Sequence, residues 1–178
     1  NQAGVTTETA MNMSKTYKTD AFSKIADISS DTPNLQSVTY YQGEKGDEVS
    51  DYSSNYRVGT STVKNTSVFV YGNEFLRAVS AGTELAMTRS LSYKGDKAPE
   101  EAATEFYTDG AIAVAADLQS ETYYFGDVRG DEIAWYAYNM RLGTTSVRNV
   151  SVYYYNDLTA NQAGVTTETA MNMSKTYK

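Results

Sequence analysis

The chain has 178 residues, with 22 acidic side chains against 15 basic ones, a formal net charge of −7, and neither cysteine nor histidine. Those absences remove thiol nucleophiles, disulfide staples, Cys/His zinc sites and the usual proton shuttle of neutral pH. No stripe of Lys or Arg gathers to neutralise phosphates, so no nucleic-acid partner is expected, and no apolar run reaches membrane-helix length, so no membrane span is expected either.

With 16 Tyr, only two Pro and 40% hydrophobic residues, the composition suits pleated, half-buried surfaces and predicts an all-β protein. The first segment, NQAGVTTETAMNMSKTYK (1–18), alternates: Val5, Thr7, Thr9, Met11, Met13 and Tyr17 fall on one face, and Glu8, Asn12, Ser14 and Lys18 on the other. DAFSKIADI, from Asp20, reads as a short helical connector. DEVSDYSSNY alternates as a strand, SVFVYG is a β-branched and aromatic run ended by turn residues, and TELAMTRSLSY reads as a longer strand. DKAPEEAATEF has the opening of a short helix, with Asp96 as N-cap, Pro99 in the first turn, and Glu100 and Glu101 near the positive end of the dipole. DEIAWYAYNM, SVYYYN and TETAMNMSKTY then repeat the three strand patterns. Six or seven strands per unit are expected, with turns where Gly, Asp and Asn cluster, in QGEKGDE, VYGNE, YKGDK, YTDGA, FGDVRGDE and YYNDL.

Two repeats are superimposed on these elements. Residues 161–178 restate residues 1–18 letter for letter. A weaker repeat sets Val38 onward over Glu121 onward with one gap, matching Gly46 with Gly130, Asp47 with Asp131, Glu48 with Glu132, Arg57 with Arg141, Gly59 with Gly143, Asn65 with Asn149 and Ser67 with Ser151. The match runs on to Lys94 over Lys178, so the repeated tail is the last piece of a unit. The chain therefore parses as a detached tail strand of a preceding unit (1–18, a donor-strand candidate), a first unit (19–94) and a second unit ending in the tail (95–178). Each unit is expected to be an antiparallel β-sandwich of Ig-like or Greek-key type. A lone strand leaves half its backbone groups unmet, and one tail is expected to lack a partner in its own chain and to seek the sheet edge of a second molecule. Val5, Met11, Met13 and Tyr17, with Val165, Met171, Met173 and Tyr177 in the second copy, are the strand-exchange candidates.

Other residue groups carry chemistry of their own. Glu44, Asp47 and Glu48 in one loop, and Asp127, Asp131 and Glu132 in its sister, gather the hard oxygens a structural calcium would need, without the full ligand ladder of a known loop. The alternative is solvated acidic loop tips, and a glycosidase acid pair is the weakest reading. Apart from that candidate calcium no cofactor is expected. Arg129-Gly130-Asp131 spells a tripeptide read by some cell-surface receptors, but its sister Lys45-Gly46-Asp47 needs the same turn, which favours a plain hairpin tip. Trp135 is the only tryptophan and its sister is Asp51, marking a face left free to vary and a candidate ligand-binding position. Sequons at Asn12, Asn65, Asn149 and Asn172 matter only in a glycosylating host.

The expected function is a structural, non-catalytic repeat module of an extracellular fibre, pilus-like filament or adhesin stalk at a cell surface, joined head to tail to copies of itself by strand exchange. The runner-up is a carbohydrate- or receptor-binding module using Trp135 and the Gly-Asp loops.

Overall fold

The computed structural model describes residues 4–18, 34–103, 107–108, 111–112 and 115–178. The helical reading of DAFSKIADI lies outside the described residues, as do Asp109 and Gly110 of the YTDGA turn.

The protein is all-β. In chain order the elements are β1 (Met13–Tyr17), β2 (Leu35–Gln42), β3 (Val49–Tyr56), β4 (Val63–Tyr71), β5 (Leu76–Arg77), α1 (Ala78–Ala81), β6 (Met87–Lys94), α2 (Pro99–Ala102), β7 (Tyr107–Thr108), β8 (Ala111–Ile112), β9 (Leu118–Phe125), β10 (Ile133–Met140), β11 (Val147–Tyr155), β12 (Leu158–Thr159) and β13 (Met171–Tyr177). Eleven of these strands form one antiparallel sheet, and β7 pairs with β8 apart from it. The long strands run β1-β2-β3-β4-β6-β9-β10-β11-β13, a meander in which each lies beside its chain neighbour, while β5 hangs on β4 and β12 on β11. Among the described residues the first unit has five strands (β2 to β6) and the second seven (β7 to β13), against the six or seven expected of each, and a separate sandwich for each repeat would need a break in the ladder between β6 and β9. There is none: β6 pairs β9 from Arg89 opposite Tyr123 to Tyr93 opposite Leu118. Alternation of apolar and polar residues is common to a sandwich and to one long sheet, so the periodicity does not separate them.

The two repeats share strand order and register. In the first unit Tyr52 faces Val68 and Asn55 faces Asn65; in the second Tyr136 faces Val152 and Asn139 faces Asn149. The loops match for a steric reason. A Cβ at Gly43 would lie 2.7 Å from the Asp47 carbonyl oxygen, and one at Gly126 would lie 2.8 Å from that of Asp131, so both hairpins require glycine.

The main core sits where the repeats join. Val68 and Val70 of β4, Leu91 and Tyr93 of β6, Leu118 of β9 and Met140 of β10 cluster with Ala102 and Ala103. The short helix forms at Pro99 as expected, but Ala98 rather than Asp96 is the N-cap, and the helix lasts one turn. It is pinned over the sheet by the Tyr93 hydroxyl, which donates to the Ala102 carbonyl at 2.7 Å, and by Glu100 and Glu101, which reach Arg77 and Lys97 at 2.9 and 3.6 Å. Phe69 and Tyr71 alternate with Val68 and Val70, so the smaller cluster of Val49, Tyr71 and Ala78, with Met87, lies on the opposite face.

Candidate functional site

The features that recur along the sheet converge on the joint between repeats. Strand β6, the tail of the first unit, is hydrogen-bonded on both sides, to β4 of its own unit and to β9 of the next. The two identical tails each show one half of that arrangement. On β1, Met13 faces Tyr40 and Tyr17 faces Leu35, the register in which Arg89 faces Tyr123 and Tyr93 faces Leu118, with a bulge at the same step. On β13, Tyr177 faces Val150 and Met171 faces Tyr155, the register in which Tyr93 faces Thr66 and Met87 faces Tyr71. Both tails therefore pair within the chain, one as the strand ahead of a unit and the other as the strand closing one. That differs from the expectation of an orphan tail: β2 and β11 each had one edge open, and two copies of the sequence fill both.

The acidic loops hold the joint. Glu132 accepts from the Met87 N–H at 2.7 Å and from the Gly130 N–H at 2.8 Å. Glu48 repeats this with the Met11 N–H and the Gly46 N–H, both at 2.9 Å. Each carboxylate thus braces its own hairpin turn and grips the incoming tail by a backbone donor. The Met11 hydrogen bond is the leading reason the Glu48 carboxyl is held below the usual range. Lys45 donates to the Thr7 carbonyl, adding a second hold on the first tail. Its sister Arg129 instead bridges neighbouring loops, ion-pairing with Asp47 at 3.4 Å and donating to the Glu48 carbonyl at 3.3 Å. The Arg129-Gly130-Asp131 stretch forms a turn closed by the Asp131 N–H to the Val128 carbonyl at 3.0 Å. Asp127 and Asp131 are exposed, and among the described residues no three acidic side chains come together as a cation site.

At the centre of the joint lies a buried ion pair that the residue types did not announce. Arg89 Nη1 is 2.7 Å from Glu121 Oε1; Glu121 is fully buried, and the guanidinium lies 4.0 Å from the Phe75 ring centre and 4.4 Å from that of Tyr123. Burial is also the main cause of the raised hydroxyl pKa of Tyr123.

The tail candidates divide. Met13, Tyr17, Met171, Met173 and Tyr177 lie in strands, whereas Val5, Met11 and Val165 do not. Upstream of each strand the Thr-x-x-Thr sequence folds on itself: Thr9 N–H bonds the Thr6 carbonyl at 3.2 Å while Thr9 Oγ1 takes the Thr6 N–H at 2.9 Å, and Thr166 and Thr169 do the same. Hydroxyls competing for backbone donors override the period-two pattern there. Nor are the methionines buried as a donor strand would have them, with Met13 at 39% and Met171 at 56% exposed.

Trp135 and Asp51 occupy the same β-bulge. Tyr136 faces Tyr123 and Ala134 faces Tyr124, which leaves Trp135 without an opposite residue; Tyr52 faces Tyr40 and Ser50 faces Tyr41, which leaves out Asp51. In the first unit Asp51 is buried and takes a bidentate pair from Arg77. In the second, Trp135 stands edge-on to Tyr136 at 5.0 Å and to Phe125 at 6.0 Å, half-buried in an aromatic group open at Phe125. The sequons Asn65 and Asn149 sit in β4 and β11, opposite Asn55 and Asn139. No helix among the described residues is long and apolar enough to cross a membrane.

No protein-family model, curated protein or solved structure matches this chain.

Proposed function

We propose that the chain is a structural, non-catalytic repeat module of an extracellular filament or adhesin stalk, whose copies join head to tail by sharing the repeated tail between one molecule's second unit and the next molecule's first. The observation that carries this is the doubly paired β6. The interior of the chain already contains one complete joint, and its ends present the two complementary halves of another, in the same registers.

The energetics favour completion. Within the chain, Leu91 and Tyr93 are fully buried by neighbours on both sides, while Tyr177, the equivalent of Tyr93, is 50% exposed. Sharing one strand removes that apolar surface from water at roughly 25 cal/mol per Å². It also gives the Met171 N–H the equivalent of the Glu132 acceptor, namely Glu48 of a second copy. Strand β13 spans 7 residues and β1 spans 5, so β1 is the copy that yields and β13 the one that bridges. Because the two compete with identical sequences for β2, the exchange changes few contacts at that edge, and the gain comes from β11 and β13.

Replacing Met171 and Met173 with Asp places charge on the bridging strand. The expected result is that scattering mass and filaments seen by electron microscopy grow with concentration in the parent chain and are lost in the variant, with the far-UV spectrum retained. A parent chain that stays monomeric at every concentration overturns the proposal.

A second reading, carbohydrate or receptor binding, is favoured by the aromatic group of Phe125, Trp135 and Tyr136 beside the Arg129 loop. Its test is Trp135 fluorescence during titration with a soluble polysaccharide, an unchanged spectrum counting against it.

A further inference from the structure

Each unit carries the same polar groove at one end of its strands. In the first unit it holds about 520 Å³ and is lined by Gln36, Ser37, Asn55, Val58 and Lys64, with Thr16 of the tail strand beside them. In the second it holds about 440 Å³ and is lined by the sisters of those residues, Gln119, Ser120, Asn139, Leu142 and Arg148, with Ser92 of the tail. Two β-bulges frame each groove. Thr16 faces Ser37 and Tyr17 faces Leu35, which leaves Gln36 without an opposite residue; Asn55 faces Asn65 and Tyr56 faces Val63, which leaves out Lys64. Gln119 and Arg148 are left out in the same way in the second unit. A bulge interrupts the alternation of a strand and re-aims its extra side chain, so in each groove an amide and a cation join the cross-strand row of hydroxyls and amides. Burial does not account for the repetition, because Gln36, Lys64 and Arg148 are exposed.

We propose that these paired grooves are binding sites for an acidic oligosaccharide, one per unit, each completed by the tail strand that enters the unit. Ser, Asn and Gln side chains both donate and accept hydrogen bonds, as sugar hydroxyls do, and Val58 and Leu142 offer an apolar side to a sugar ring. Asn65, which also lines the first groove, has its Oδ1 shielded from water with no hydrogen-bond partner, an acceptor that a ligand hydroxyl satisfies. The charge is of one sign: no acidic side chain lines either groove among the described residues, although the chain carries −7 overall. Arg141 stands with Arg148 around the second groove, and guanidinium groups match the planar carboxylate of a uronic acid. A peptide adding as a strand would need a free sheet edge, whereas the strands that form both grooves are already paired on either side. The second groove lies at the Met140 end of β10, away from Trp135, so it is separate from the aromatic group of the second reading.

The test is a titration of the full chain with a short oligogalacturonate, followed by backbone amide NMR shifts, beside the same oligomer with its carboxylates reduced to alcohols. Shifts are expected to gather at residues 36–37 and 64–65 and at residues 119–120 and 148–149, with the reduced oligomer binding at least about tenfold more weakly. Arg148→Gln is expected to weaken the second groove about tenfold and leave the first unchanged, and Lys64→Gln to do the reverse. Lys175→Gln, an exposed cation away from both grooves, is expected to change neither. All three side chains are exposed, so the variants keep the parent fold. Absence of shifts at both grooves in the folded parent overturns the proposal, as do shifts centred on Trp135 instead, equal binding of the reduced oligomer, or equal weakening by Lys175→Gln. Both grooves lie within one chain, so a chain that never polymerises refutes the head-to-tail reading and leaves these readings to judge the grooves alone.

Discussion

Arg89→Ala is expected to be among the most damaging single substitutions in the protein. It leaves Glu121, fully buried between β6 and β10, without its cation, and breaking such a pair from one side costs about 3–5 kcal/mol. For a chain of this size that is a fall in Tm on the order of 10 °C. Phe75 and Tyr123, which flank the guanidinium, lose their packing at the same time. Arg89→Met combined with Glu121→Val, which copies the apolar chemistry of Met13 and Val38 into the second joint, is expected to regain most of the loss, because two apolar groups of suitable volume need no compensation. Thermal melts of the two singles and the double measure the coupling. Additive losses would show that the two side chains do not act as a pair.

The second large effect is at Leu91. Its side chain is fully buried between β4 and β9, and Leu91→Ala is expected to cost about 3 kcal/mol from lost transfer energy and the cavity left behind. The same register position is Lys15 in β1 and Lys175 in β13, each with a neighbour on one side only, and Lys175 lies 4.8 Å from the Tyr154 ring centre. Truncating either lysine to Ala is expected to change stability by less than about 0.5 kcal/mol. Denaturant melts of the three variants test whether β6 alone sits in a completed joint. Equal losses at all three positions would contradict that.

Much of this architecture is legible in the sequence, and what is hidden has common physical causes. The repeat was readable because hairpins that need glycine at Gly43 and Gly126, and at Gly46 and Gly130 with φ near 90°, hold their spacing while the strands between them drift. Most strands were readable from alternation, β10 and β3 above all. The continuity of the sheet was not, because a strand paired on both sides and a strand at the edge of a sandwich alternate alike. The bulge at Asp51 and Trp135 is a property of two strands in register, so neither strand's own pattern contains it; the unlike sister residues were its only trace. Glu48 and Glu132 stood out as carboxylates, but their partners are backbone N–H groups of the preceding tail, which no side-chain pattern records. The alternating tail overreached for a local reason: the threonine pairs at 6 and 9, and at 166 and 169, close on their own backbone before the strand begins.

The chain has no cysteine, which makes any introduced disulfide unambiguous. Within the interior joint Ser90 faces Thr122, and in the first joint Ser14 faces Thr39. A joint between two molecules would set Ser174 of one against Thr39 of the other. Single-cysteine chains carrying Ser174→Cys and Thr39→Cys, mixed at high concentration and oxidised, are predicted to give the mixed disulfide dimer in excess of either self-dimer. Ser174→Cys mixed with Thr122→Cys, whose edge is already covered by β6, is predicted to give none above background. Folded chains that form no 174–39 disulfide, or that form 174–122 equally well, would contradict the shared-strand joint.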